Sequence, residues 1–492
     1  MEKENLNKTN FVHLHVHSEN SLLDGLESPS NLINKAKELN MDSLALTDHG
    51  TMRGLLDFYF TAKKNDINPI LGQEFYFHPD RTSKNPDERF YHSTILIKNE
   101  IGWKNCINLT TEANVSGFYY KPRIDTDLLN EHNEGLIMGS GCMASIINRH
   151  IMKGEDLKAK EWLDRFKNIF KDDFYIELTT TEDDWQKYLN TWLIRYAKDN
   201  GILFTIGSDV HFVDEESYYD HDVLYCVQYK NKYSDPVWES DPTSKETKPK
   251  GFRIKSPVKE TWLKSETEMW DYWKTHCQPI DDPYGALGSL YIEESDFHQA
   301  MVNTSIIASR CHGVELEKIY SDYRMPDMNI DSPVSELRSR CLKNEFKQRY
   351  IARKSSEEQS EYIKRLTREI DLICSQGFAS YFMMTADLTD HLKENNIMKG
   401  VGRGSASGSL LAWWLGITDV DPIQHNLSFE RFMNAEKKSM PDIDIDIDDE
   451  KRPEILKYFI NKYGEDNVAQ IGTYVAMQEK ASLKDVARVF EL

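Results

Sequence analysis

Phe11-Val-His-Leu-His-Val-His17 reads as a β-strand, and its alternation sets His15 and His17 on one face. A helix signal follows at Ser28-Pro29, a cap residue with proline in the first turn, and Leu32, Ile33, Ala36 and Leu39 form its apolar stripe. Outward from this unit the pattern repeats. Strands are expected at Ser43–Thr47, Ile70–Tyr76, Ser93–Ile97, Leu136–Gly139, Phe174–Leu178 and Ile202–Gly207, with helical material between most of them. Seven such strands predict an α/β fold with a closed or nearly closed parallel barrel.

Residues with metal-ligand chemistry cluster near the C-terminal ends of these strands. His15 and His17 share the first strand and Asp24 lies in its loop; Asp48-His49 ends the second strand, Glu74 lies in the third, and His92 precedes the fourth. Cys142 follows the fifth, and Asp209 with His211 follows the seventh. In a βα barrel those ends face one mouth, where several loops build one site. A single buried histidine is more often a satisfied core residue. A set recurring at equivalent topological positions is not explained that way.

Length and composition bound the rest. A chain of 492 residues is too long for one core, so two or three domains are expected. The seven cysteines form no CxxC pair, which suits free thiols in a reducing cytoplasm. No apolar run is long enough to span a bilayer, and the N-terminus does not read as a signal peptide. The net charge of −21 argues against a long, uniformly basic nucleic-acid surface, though a local basic channel is compatible with it.

Two further stretches carry chemistry. Asp442, Asp444, Asp446 and Asp448 alternate with Ile443, Ile445 and Ile447, a strand signal that gathers the carboxylates on one face. Carboxylates spaced about 6.6 Å along a strand can converge on paired divalent cations, and without a cation or basic partner they repel. A solvated acidic edge strand is the alternative. Gly400-Val-Gly-Arg-Gly-Ser-Ala-Ser-Gly-Ser409 precedes an apolar helix at Leu410–Leu415, where backbone N–H groups and a helix N-terminus can cradle phosphate. It matches neither the P-loop nor the dinucleotide fingerprint, and a flexible Gly/Ser turn is the alternative.

Together the motifs reach known families. His13-Leu-His-Val-His-Ser, Leu46-Thr-Asp-His-Gly, Gly72-Gln-Glu, Ser140-Gly-Cys and Gly207-Ser-Asp-Val-His resemble the polymerase and histidinol phosphatase (PHP) domain. That resemblance implies a distorted (β/α)7 barrel with a trinuclear metal centre. By position, His15, His17, Glu74 and Asp209 would hold one metal, Glu74, His92 and Cys142 a second, and Asp24, His49 and His211 a third. His13 falls outside the pattern. Imidazole, carboxylate and one thiolate suit Zn, Mn or Fe, and the implied chemistry is phosphate-ester hydrolysis by metal-activated water, on a mispaired 3′ end within a polymerase.

The stretches Gly402–Ser409, Leu415–Pro422, Phe429–Asn434 and Ser439–Asp444 resemble the palm of family C replicative DNA polymerases, as do the runs from Lys462 and Lys484. The resemblance implies an incomplete α+β nucleotidyltransferase-like palm. Asp442 and Asp444 would be its Mg2+-binding catalytic pair, and Arg403, Ser405, Gly408, Ser409 and Arg431 would grip the incoming triphosphate. Ile447 and Asp448 depart from the usual pattern. The expected organisation is a PHP domain over 1–275 with a surface insertion at 229–257, a helical connector over 276–320, and part of a palm over 321–492 opened by Tyr323-Arg-Met-Pro-Asp-Met328.

The third catalytic carboxylate, fingers, duplex-binding region and clamp-binding segment of such polymerases are not found in this sequence. The expectation is therefore either a truncated product or the N-terminal piece of a split polymerase, which acts on primer-template DNA and dNTPs when a second polymerase chain completes it, with any sliding-clamp contact through that partner, in the cytoplasm and away from membranes. A free-standing phosphoesterase and a non-catalytic assembly platform are the alternatives.

Overall fold

The computed structural model describes residues 10–88, 90–238, 248–255, 259–320, 328, 330–436, 439–474 and 477–492. Two compact units are present: Met1–Lys318 with Ala476–Leu492, and Ile319–Val475.

The first unit is built on a curled eight-stranded sheet. Its strands are β1 (Ser43–Leu46), β2 (Asn68–Phe77), β3 (Tyr91–Ile97), β4 (Phe118–Tyr119), β5 (Lys121–Ile124), β6 (Leu136–Gly139), β7 (Phe174–Thr179) and β8 (Leu203–Gly207). The order is β4-β5-β2-β3-β6-β7-β8, with β1 also on β2. The sheet departs from the all-parallel expectation. β3 runs antiparallel to both β2 and β6, and β4 and β5 form a short antiparallel pair. Thirteen residues, 78–90, join β2 to β3, and among the described ones no helix intervenes to carry the chain back for a parallel crossover.

Phe11–His17 also differs from expectation. It forms no regular strand, only an isolated parallel bridge between Val16 and Val210. It still spans the space between β1 and the segment after β8. Ala45 and Thr47 N–H donate to the His13 and Val16 carbonyls at 3.1 and 2.8 Å, and His17 N–H donates to the Val210 carbonyl at 2.7 Å.

The interior takes side chains from successive elements: Val12 and Leu14, Ala45, Ile70, Leu96, Ile137 and Tyr175. Ile307 and Ala308 of helix Glu294–Ala308 join them. That helix lies in the stretch read as a connector, yet it belongs to this core; each fully buried Ile or Leu contributes about 1.5–3 kcal/mol. The helix at Pro29–Glu38 forms as its residues dictate. Ser28 Oγ accepts from Asn31 N–H, Pro29 opens the first turn, and Leu32, Ile33 and Ala36 are buried.

Within 229–257, residues 239–247 and 256–258 lie outside the described residues. The flanks are not wholly on the surface: Arg253 is buried, donates to both Asp222 oxygens at 2.9 Å and lies over the Tyr233 ring. Tyr323–Asp327 of the expected opening motif also lie outside the described residues.

The second unit is helical around Leu337, Ile370, Phe382, Leu410, Trp413 and Phe432. Its long helices include Ser356–Ser375 and Ala379–Glu394. The expected Asp/Ile strand at 442–448 is not formed. The segment is extended but has a single antiparallel bridge, Lys399 to Ile447, because among the described residues no second strand lies alongside it. The alternation nevertheless holds: Ile443 and Ile445 pack on the core while Asp442, Asp446 and Asp448 are exposed. No helix of the described residues is long and apolar enough to cross a membrane.

Candidate functional site

Glu74 is the centre of the first unit's polar cluster, and backbone pairing explains why. A parallel bridge sets His49 beside Glu74, while the antiparallel β2–β3 register places Glu74 opposite Thr94, two residues from His92. Its carboxylate then lies 3.4 Å from His15 Nε2, 3.6 Å from His17 Nε2, 2.5 Å from His49 Nδ1, 3.1 Å from His92 Nδ1 and 3.7 Å from Cys142 Sγ. Cys142 reaches in because Gly141, with φ of +80°, passes 2.8 Å from the His92 carbonyl when a Cβ is placed on it, a turn only glycine takes without strain.

Asp209 Oδ1 sits 3.4 Å from both His15 and His17 Nε2, and 3.8 Å from His211 Nδ1. Its backbone is left-handed, φ 50°, which aspartate tolerates better than most residues. Asp24 Oδ2 is 3.0 Å from His49 Nε2 and 3.8 Å from His211 Nε2. All nine ligand-type residues therefore meet in one place. His13 does not: its Nε2 pairs with the Lys264 carbonyl at 2.8 Å.

The electrostatics of the cluster follow from burial. Burial and the nearby His49 and His211 hold His17 down to about 3, in the neutral form that offers a lone pair. Burial opposes charge on His49 too, but Glu74 and Asp24 overcome it and raise the ring to about 10. Burial drives the Cys142 thiol well above its usual range, and the Glu74 and Asp209 carboxylates add to that.

Several ligand-type atoms are buried with no hydrogen bond of ordinary geometry: His15 Nε2, His17 Nε2 and Asp209 Oδ1. Leaving one such atom unsatisfied costs about 1–3 kcal/mol. Three triads, His15-His17-Glu74, His49-Glu74-His92 and His17-His49-His211, have one donor atom each within 4.8 Å of the others. Orphaned imidazole and carboxylate atoms, converging in this way beside the Cys142 thiol, fit a metal cofactor.

Residues outside the expected set orient the ligands. Glu177 Oε2 lies 3.3 Å from His15 Nδ1, and Ser21 Oγ 2.9 Å from His17 Nδ1, so each ring turns Nε2 inward. Asp48 fixes this loop by accepting from Ser18 N–H, Ser18 Oγ and Ser21 Oγ at 2.7–2.8 Å. His221 Nε2 lies 3.5 Å from Asp24 Oδ1. A glutamate inside the apolar strand Phe174–Thr179 is a signal that could have found Glu177; no local spacing points to His221.

The second unit brings the glycine loop against the aspartate run. Gly400 N–H donates to the Asp446 carbonyl at 2.9 Å, and a Cβ on Gly404 (φ +68°) would stand 3.2 Å from Asp444 Oδ2. Arg403 lies on the aspartates themselves, Nη2 to Asp444 at 3.1 Å and Nε to Asp446 at 3.0 Å. It is thus the basic partner that eases their repulsion. Ser405 and Arg431 are exposed, and Arg431 makes no ion pair among the described residues.

Gly408 and Ser409, expected with Arg403, Ser405 and Arg431 to grip the triphosphate, are buried. Ser409 is buried, caps helix Leu410–Trp414 and donates to Glu369 Oε2 at 3.0 Å. The Gly408 carbonyl accepts from Arg365 Nη2 at 2.7 Å, and a Cβ there would meet the Ser428 carbonyl at 2.5 Å. Both hold the loop's shape, because the apolar helix that follows draws them inward.

Two family models match parts of the chain. Residues 13–181 match the PHP domain and residues 335–492 match the bacterial DNA polymerase III alpha NTPase domain. The chain is 37% identical to the DNA polymerase III subunit alpha of Borreliella burgdorferi, over 99% of its own length and 39% of the relative's. To the same subunit of Aquifex aeolicus it is 36% identical over 98% of this chain and 40% of the relative, and to that of Treponema pallidum 34% over 99% and 38%. It thus spans about two-fifths of the relatives it matches. A two-domain protein of Bacteroides vulgatus with a PHP-like metal-dependent phosphoesterase aligns over 41% of this chain and 52% of its own at 16% identity, with a TM-score of 0.26, too slight a likeness to carry weight. The chain thus carries matches to the PHP domain and to the bacterial DNA polymerase III alpha NTPase domain, and nearly its whole length is similar to DNA polymerase III alpha subunits.

Proposed function

We propose that this chain is the N-terminal part of a family C replicative DNA polymerase and that its PHP centre is a working 3′–5′ exonuclease or phosphoesterase. The observation that carries this is the convergence of nine ligand-type residues on Glu74 and Asp209, with buried donor atoms left unpartnered. In the assignment we propose, His15, His17, Glu74 and Asp209 serve one ion, Glu74, His92 and Cys142 a second, and Asp24, His49 and His211 a third, with Zn2+, Mn2+ or Fe as occupants. Such ions polarise a phosphate ester and acidify water.

The chain's own residues hold that arrangement. Glu177 and Ser21 keep the ring nitrogens of His15 and His17 aimed inward. In the hydrolysis, the oxygen of water bonds to the terminal phosphorus and the bond from phosphorus to the preceding O3′ breaks. The released O3′ takes a proton, and a nucleoside 5′-monophosphate departs.

In the second unit, Asp442 and Asp444 would bind Mg2+ for nucleotidyl transfer, with Arg403, Ser405 and Arg431 facing the triphosphate and Gly408 and Ser409 shaping the loop. Arg403 would exchange its aspartate partners for phosphate, for which its fork geometry suits it. DNA synthesis on primer-template and dNTPs, in the cytoplasm, would draw on the remaining three-fifths of the relatives' length, supplied by a partner chain through which a sliding clamp is also reached.

Metal analysis of the purified chain, with hydrolysis of a 3′-mispaired primer by wild type and Asp209→Ala, tests the first part. Bound transition metal and a hydrolysis lost in a folded Asp209→Ala variant are expected; a metal-free, inert wild type refutes it. Primer extension tests the second: robust synthesis by this chain alone contradicts the need for a partner.

A further inference from the structure

A cleft of about 820 Å³ opens beside the metal-type cluster, and His92 belongs to both. Aromatic rings line it. Phe90 lies nearly parallel to His92 (centroids 6.3 Å apart, planes at 4°) and edge-on to Tyr76 at 5.1 Å. Tyr119 and Tyr120 stand 4.6 Å apart in a T-shaped pair, and Tyr120 is 74% exposed.

Cations line it too, and they have different tasks. Arg123 is a staple, donating to the Arg81 and Ser83 carbonyls at 2.8 and 2.6 Å and so holding the loop before β3. Arg149 and Lys153 lie at and just after the helix Ile146–Met152 that follows Cys142, with Lys153 exposed. Of the three carboxylates in the lining, Asp80 is engaged by Thr82 and Glu88 by Ser83 and His78, while Asp87 is exposed in the loop before β3, far in sequence from the helix Ile146–Met152.

Exposed rings with a basic wall are the ordinary means of holding unpaired nucleotides: bases stack on the rings while cations follow the phosphates. The volume suits a few small groups and excludes a duplex, whose bases would be paired and unavailable for stacking.

We propose that this cleft seats the last nucleotides of a single strand, its bases against Phe90 and Tyr120, its phosphates toward Arg149 and Lys153, and its terminal linkage delivered past His92. The proposal rests on the phosphoesterase reading above and adds the substrate's path. Selectivity for frayed 3′ ends follows, since a paired end cannot offer its base to the rings.

The test uses the full chain with Mn2+ and a labelled dT8 strand whose last linkage is a phosphorothioate. Phe90→Ala and Tyr120→Ala are each expected to weaken binding by about tenfold, the loss typical of one stacked base. A 3′-terminal 5-iododeoxyuridine should cross-link within Phe90–His92 or Tyr119–Tyr120. Unchanged affinity in both variants, or cross-links only elsewhere, overturns the proposal. Turnover of bis(p-nitrophenyl) phosphate separates the two ideas. A wild type that hydrolyses this ester without binding dT8 sinks the cleft and leaves the phosphoesterase standing. A wild type that binds dT8 in the cleft but hydrolyses neither this ester nor an unmodified dT8 does the reverse.

Discussion

The two polar sites of this chain use similar side chains under opposite conditions. In the first unit Glu74 is 1% exposed and surrounded by imidazoles, of which His15 and His17 are fixed from behind by Glu177 and Ser21. In the second, Asp442, Asp446 and Asp448 face solvent, and one arginine, itself 57% exposed, lies across Asp444 and Asp446. Burial with outer hydrogen bonds presets a geometry; exposure leaves carboxylates that water screens and a mobile partner can leave. The first arrangement is ready for ions, and the second has its order beneath the surface, in Glu369, Ser409 and the apolar helix Leu410–Trp414.

Substitutions can break this contrast. The largest effect is expected from Glu74→Ala, which removes the carboxylate shared by His15, His17, His49 and His92. Metal content should fall to background, measured by elemental analysis, and hydrolysis with it; retention of a full metal complement would show that Glu74 is not central.

Next is Glu369→Ala. Its carboxylate accepts from Leu411 N–H at 2.9 Å, Ser409 Oγ at 3.0 Å and Arg365 Nε at 3.0 Å, with no exposure. Removing one partner of such a buried set costs about 3–5 kcal/mol, to be read as faster amide exchange across Leu410–Leu415. Burial also holds this carboxyl above its usual range, although Leu411 N–H and Arg365 pull the other way. An acid raised in the folded state contributes stability at low pH that is lost as pH rises through its folded value. Glu369→Gln should therefore flatten the acid-side pH dependence of that exchange.

Glu177→Gln sharpens the comparison from the other side. It keeps the ligands but weakens the orientation of His15, so metal affinity should fall about 10–100-fold without vanishing, as a competitive chelator titration would show. The smallest stability effect belongs to Arg403→Ala, within about 1 kcal/mol for an exposed pair. The same change should tighten Mn2+ binding to the second unit by relieving competition for Asp444 and Asp446. A large loss of stability would mean that the exposed arginine is structural after all.

Much of this was readable along the chain because the signals are local. Residues two apart in His15/His17 and Asp209/His211 share a face through strand geometry alone, and the Asp/Ile alternation at 442–448 sorts its side chains whether or not a ladder forms. Periodicity and capping likewise located the helix at Pro29–Glu38. What periodicity could not report is which neighbour a strand takes. The reversed β3, the irregular Phe11–His17 segment and the core role of helix Glu294–Ala308 depend on contacts between residues far apart in sequence.

The same boundary runs through the sites. By itself the sequence determined which residues have metal-binding or phosphate-binding chemistry and on which face of each element they sit. Only the tertiary structure decided that Glu74 is the hub, that Glu177 and Ser21 aim the histidines, that Arg403 neutralises the aspartates, and that Gly408 and Ser409 turn inward. Side-chain type and local period are written residue by residue, whereas burial and long-range pairing exist only once distant segments have packed together.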